Sequence, residues 1–243
     1  MKYKLPLFLV FALPMLSTAQ LVVKNAEDFK IGTVLEFQLC DTSGVMPGTG
    51  GTNQTWDFSS LKLLPDKSTE WMVLPSSTPY ADKFPGATLV EKYSNGSYVY
   101  VDMKQGQSNL LGFANPNMMI AYPKPVVFAK RPPPYGFTFS NPFTDNFTAG
   151  GMDFSGSGVV TIEADGYGRL ILPNKTYKNV LRIKIVQVQT DTIKQYNSAS
   201  QMRIVTYVWF DGVNTSAVFK ISYTKSMGYN TGEVGYLLSE EDK

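Results

Sequence analysis

Within one short stretch, Glu91, Tyr93, Tyr98, Tyr100 and Asp102 have the side-chain types that suit a hydroxyl-rich ligand. Carboxylates accept hydrogen bonds from hydroxyls, and phenol rings stack on the apolar face of a sugar. Glu91 and Asp102 also meet the minimum requirement of a glycosidase, which is two acids roughly 5–10 Å apart.

Whether these groups converge depends on a hairpin. Asn95-Gly96 lies between two strand-like runs in 88–103, and that dipeptide predicts a two-residue type I′ turn. The resulting register sets Tyr93 opposite Tyr98, Glu91 opposite Tyr100 and Leu89 opposite Asp102, all on one face. Val90, Val99, Val101 and Met103 then form the other face, turned to the core.

Most other chemistries are removed by composition. The chain has no histidine and a single cysteine, Cys40. Ser-His-Asp and Cys-His catalysis, His-bearing zinc sites, thiolate cages and intramolecular disulfides are therefore impossible. The glycine-rich runs at 44–51 and 155–158 lack the Lys, the Ser/Thr and the following helix of a phosphate-binding loop, and they read as turns. Asp145, Asp153 and Asp165 are conceivable oxygen ligands for a hard cation, but no run has the spacing of a calcium loop. No catalytic residue, metal or cofactor is assigned.

The N-terminus carries Lys2 and Lys4, an apolar run over 5–16, and Ser17-Thr18-Ala19. This is the pattern of a secretory signal peptide cut after Ala19, which predicts a secreted protein, periplasmic or extracellular. The cut removes two lysines and no acids, so 20 basic groups face 20 acidic ones in the mature chain. That neutrality excludes nucleic acid as a partner, and the chain left after the cut has no membrane span.

From residue 20 the chain reads as short β-type runs separated by Gly, Pro and Asn, without sustained helical spacing. The expected fold is all-β with little helix: a single antiparallel β-sandwich over 20–243, with an up-and-down barrel as the alternative. Six prolines within 116–134 suggest a crossover between halves. Residues 164–184 read as strand, tight turn at Asp165-Gly166 and Gly168, and second strand. Trp56, Trp71 and Trp209 lie in mainly apolar stretches and are expected in the core.

The blocks Gly50-Gly-Thr-Asn-Gln-Thr-Trp-Asp-Phe-Ser-Ser-Leu61, 164–184, Tyr207-Val-Trp-Phe-Asp-Gly212 and Ala217-Val-Phe-Lys-Ile-Ser222 resemble a set of uncharacterised secreted proteins of the Bacteroidota. Those proteins often end in a type IX secretion sorting domain, a feature this chain lacks after 239–243. The resemblance implies export and a β-rich architecture and supplies no catalytic residues.

The functional expectation is a non-catalytic secreted module that binds a glycan or a surface protein through Glu91, Tyr93, Tyr98, Tyr100 and Asp102. A carboxylate-dependent glycosidase or lyase is the alternative, and a barrel carrying an apolar ligand is the third reading.

Overall fold

A computed structural model of the protein describes residues 29–104, 107–130, 133–226 and 228–238. The expected signal peptide at 1–19 and the tail at 239–243 lie outside the described residues. The alternating runs form thirteen strands: β1 (Val34–Cys40), β2 (Gly51–Asp57), β3 (Leu63–Val73), β4 (Leu89–Tyr93), β5 (Tyr98–Lys104), β6 (Gln107–Asn115), β7 (Met118–Lys130), β8 (Thr138–Ala149), β9 (Met152–Ile171), β10 (Thr176–Ile193), β11 (Ser198–Phe210), β12 (Phe219–Ser226) and β13 (Tyr229–Leu237). The helical content among the described residues is two 3-10 turns, Pro75–Ser77 and Ala81–Lys83.

All strands but β2 form one antiparallel meander, and β13 returns to pair with β1, Phe37 opposite Leu237 and Cys40 opposite Val234. The sheet therefore closes on itself. The fold is a barrel of twelve strands rather than a sandwich, because every strand of the ring is paired on both sides and none changes sheet.

Three local expectations are corrected by the topology. The glycine-rich run at 155–158, expected as a turn, is the middle of β9 and is paired on both sides. Residues 116–134 do not cross between halves; they hold β7, which follows β6 directly and pairs with it. Pro123 and Pro125 fall where the ladder to β6 is interrupted, between the Gly112/Ala121 and Leu110/Val126 pairs, and where pairing with β8 has already ended at Ala121. Neither position needs an N–H donor. Residues 164–171 likewise do not turn, since β9 runs on to Ile171 and the reversal comes at 173–175, closed by Leu172 N–H donating to the Lys175 carbonyl at 2.8 Å. Gly168 serves close approach instead. β2 lies parallel along this end of β9, and a Cβ on Gly168 would collide with the backbone of Gln54.

Strand alternation gives the barrel an inner and an outer surface. Inside, Val126, Phe143, Val160, Ile162, Leu181 and Ile183 pack together, and Met72, Leu89 and Val101 form a second cluster. Outside, Ser140, Thr144, Asn146 and Thr148 of β8 continue into Asp153 and Ser157 of β9, all exposed. Pro142 and Val159 interrupt this outer row, which is otherwise polar, whereas a barrel that spans a bilayer carries an apolar band there. Among the described residues no helix is long and apolar enough to cross a membrane.

Two outer patches are apolar and each is covered by a connection. The segment between β1 and β3 lays Trp56 and Phe58 over Trp209 and Phe219, with ring centroids 4.7–5.8 Å apart. The segment between β3 and β4 lays Phe84 over Val90 and Tyr100. Trp56 and Trp209 are core residues as expected. Trp71 instead stands half-buried on the outer face, with the Lys92 ammonium 5.4 Å from its ring centroid.

Candidate functional site

The Asn95-Gly96 turn decides where the five candidate side chains go. Gly96 has φ +81° while Asn95 has negative φ, so the loop holds three residues, 94–96, with glycine in the left-handed position. Tyr93 N–H donates to Ser97, and the Ser94 N–H is taken by the Thr69 carbonyl of β3 at 2.9 Å. The ladder consequently pairs Glu91 with Val99, Val90 with Tyr100 and Lys92 with Tyr98. This is one residue away from the expected register, and a slip of one moves half the set to the other face. Glu91 and Tyr93 point into the barrel with Leu89, Val99 and Val101; Tyr98, Tyr100 and Asp102 point outward with Val90.

The outward three do not form a platform. Tyr100 is fully buried, its ring stacked on Phe84 at 4.1 Å and its hydroxyl 2.7 Å from Thr78 Oγ1. Tyr98 meets Tyr80 edge to face. Asp102 pairs with Lys104 at 2.8 Å.

Inside the barrel, Glu91 and Tyr93 join residues distant in sequence. Tyr93 donates to Glu91 Oε2 at 2.9 Å and lies directly opposite Glu70 of β3. Across the concave wall, Lys220 of β12 pairs with Glu233 of β13 at 2.8 Å. Gly235 lies between Lys220 and Leu39 without a side chain, leaving a recess of about 10 Å³, the room of a single water, lined by Phe37, Ser68, Glu70, Lys220 and Glu233. Lys220 and Glu233 also line a neighbouring cavity of about 220 Å³, with Ser222, Thr224 and Thr231. Twelve strands make this interior possible, since eight already enclose a space that side chains just fill.

The electrostatics are those of a partly buried acidic wall. Burial, then the neighbouring Glu91 and, more weakly, Glu233, push Glu70 up to about 7 against the pull of Lys220. Burial and the same carboxylates push the Tyr93 phenol well above its ordinary value, so it remains a donor. Near neutrality Glu70 is partly protonated and both donates and accepts hydrogen bonds.

A second recess of about 340 Å³ lies on the outside, between 41–46 and 57–62. Its acids are committed to local turns: Asp41 accepts from Ser43 N–H, and Asp57 from Ser59 N–H and hydroxyl. Glu70, Lys220 and Glu233 had escaped sequence reasoning. The available signal was the polar row Lys220, Ser222, Thr224 alternating with Phe219, Ile221 and Tyr223. The chain matches no protein-family model, no curated protein and no solved structure.

Proposed function

We propose that the protein is a secreted, non-catalytic binding module that takes a saccharide or similar polyhydroxylated ligand into the polar cavity of about 220 Å³ on the inner wall of its barrel, beside the acidic recess at Glu70. The observation that carries this reading is the run of hydroxyls and charged groups from Ser222, Thr224 and Thr231 through Lys220 and Glu233 to Glu70 and Tyr93. Each ligand hydroxyl both donates and accepts, and this wall offers both functions, the hydroxyls of the larger cavity sharing Lys220 and Glu233 with the recess at Glu70. Export is the part of the reading carried by the N-terminal signal pattern and by the resemblance to secreted Bacteroidota proteins. Titration of a saccharide panel by calorimetry tests it: Glu233→Gln and Tyr93→Phe are expected to weaken binding at least tenfold. Unchanged affinity in both would remove the recess as the site.

A carboxylate-dependent hydrolase is the second reading, favoured by Glu70 near neutrality beside Glu91. The pair first considered, Glu91 with Asp102, lies on opposite faces of the sheet. Turnover of a polysaccharide panel that Glu70→Gln and Glu91→Gln abolish would favour the hydrolase over the binding module.

A further inference from the structure

A second acidic group lies on the inner wall, apart from the recess. On β9, Gly156 has Asp145 of β8 directly opposite on one side and Asp191 of β10 directly opposite on the other. Both carboxylates lean over the glycine: a Cβ there would collide with Asp145 Oδ1 and lie 2.5 Å from Asp191 Oδ1. Asp145 is 1% exposed, and its Oδ1 has no hydrogen-bond partner. Gln189 donates to Asp191 Oδ1 at 2.7 Å but reaches Asp145 Oδ2 only at 3.5 Å.

Two carboxylates brought together out of water repel one another and are costly unless a positive charge or a proton joins them. No lysine or arginine among the described residues forms an ion pair with either acid. Burial and the adjacent Asp191 push Asp145 up to about 6, against the weaker pull of the Gly156 backbone N–H. The orphaned oxygen and the facing carboxylate, drawn together where the glycine has no side chain, make a pair of hard oxygen donors.

We propose that Asp145 and Asp191 bind a calcium ion on the inner wall above Gly156. Rotating the Gln189 amide by half a turn exchanges its donor for an oxygen ligand, the Gln187 amide that now donates to Gln189 Oε1 at 2.8 Å turning with it, and water completes the shell. No third acidic, cysteine or histidine side chain joins the group among the described residues. With two formal charges, the site belongs at the weak end of protein calcium sites, at about 10⁻⁴–10⁻³ M. Magnesium is a poorer occupant because it demands a regular octahedron and sheds water reluctantly. This inference is independent of the saccharide reading.

The experiment uses the mature protein after dialysis against chelator, titrated with calcium chloride to roughly ten times the weakest of those affinities. A saturable rise in Tm of about 5 °C is expected. Terbium in place of calcium is expected to luminesce on excitation of tyrosine, since the Tyr122 phenol is close enough to feel both carboxylates. Asp145→Asn and Asp191→Asn should each abolish the calcium-dependent rise while leaving the metal-free Tm equal or higher, because each removes the repulsion. Absence of any calcium-dependent shift in the wild-type protein would overturn the proposal whatever the variants do. So would a shift that survives in the Asp145→Asn, Asp191→Asn double variant.

Discussion

Arg182 holds Asp165 in a two-pronged ion pair on the outer face of the barrel, Nε to Oδ1 and Nη2 to Oδ2, each at 2.8 Å. Asp165 is the unopposed residue of a bulge in β9, between the Ala164/Ile183 and Gly166/Arg182 pairs, and the bulge aims its carboxylate at the guanidinium. The same guanidinium donates to the carbonyls of Pro47 and Gly48 at 2.6 and 3.1 Å. It also lies 5.1 Å from the ring centroids of Trp56 and Tyr207. One buried charge thus fastens the connection between β1 and β3 to the barrel wall, and two carbonyls and three aromatic rings, the third being Trp209 at 5.7 Å, depend on it.

Removing that charge leaves a carboxylate and two carbonyls without their donor. Arg182→Met is expected to lower unfolding free energy by about 3–5 kcal/mol, the usual cost of breaking a buried pair from one side. Denaturant unfolding followed by tryptophan fluorescence measures it. A loss below about 1 kcal/mol would mean that the pair does not hold the connection in place.

The parallel seam of β2 on β9 gives a second expectation. Gly168→Ala puts a methyl group into the Gln54 backbone, so β2 must move. A destabilisation of about 1–3 kcal/mol is expected from overpacking. In hydrogen exchange, protection should fall across 51–57 while β11 and β12 keep theirs. Equal loss in every strand would argue against a separately docked β2.

Glu70 sets a pH dependence with a definite sign. Its folded pKa of about 7 lies above the ordinary 4.5, so between those values the folded protein binds more protons than the unfolded chain. Its contribution is fully present below the ordinary value and is lost as pH rises through about 7. Glu70→Gln should therefore gain stability relative to wild type as pH rises from 4.5 to 8, by on the order of 1–3 kcal/mol once water contact is allowed for. Parallel stability profiles for the two proteins would contradict the burial of this carboxyl.

The hairpin at 94–96 is testable by itself. Gly96→Ala forces a Cβ into the left-handed region and should cost about 1–2 kcal/mol. Asn95→Ala should cost less, because Asn95 has ordinary φ and contributes only its side-chain acceptance from Ser97 N–H at 3.0 Å. Equal costs would point to the two-residue turn, which needs both positions left-handed.

Much of the secondary structure was legible in the sequence, because alternation and Gly/Pro punctuation are local. What escaped is non-local. A meander that folds into two sheets and one that closes into a ring have the same local pattern, and the deciding pair joins Cys40 to Val234. The Asn-Gly dipeptide suits both a two-residue and a three-residue loop; the Thr69 carbonyl on Ser94 is consistent with the latter. The most misleading pattern was on β12, where a polar row normally marks the solvent side. There Phe219 and Ile221 face outward beneath Trp56 and Phe58, and Lys220, Ser222 and Thr224 face the interior. An inverted strand of this kind is recognisable only once its cover is known.

The central claim is that ligand recognition takes place within the ring of strands, on the side of the sheet that carries Tyr93 and Glu233, and not on the side that carries Tyr98. The most direct measurement is saccharide affinity by calorimetry for wild type, Glu233→Gln and Tyr98→Ala side by side. The account predicts at least a tenfold loss for Glu233→Gln and wild-type affinity for Tyr98→Ala. Loss in Tyr98→Ala with wild-type affinity in Glu233→Gln would contradict it.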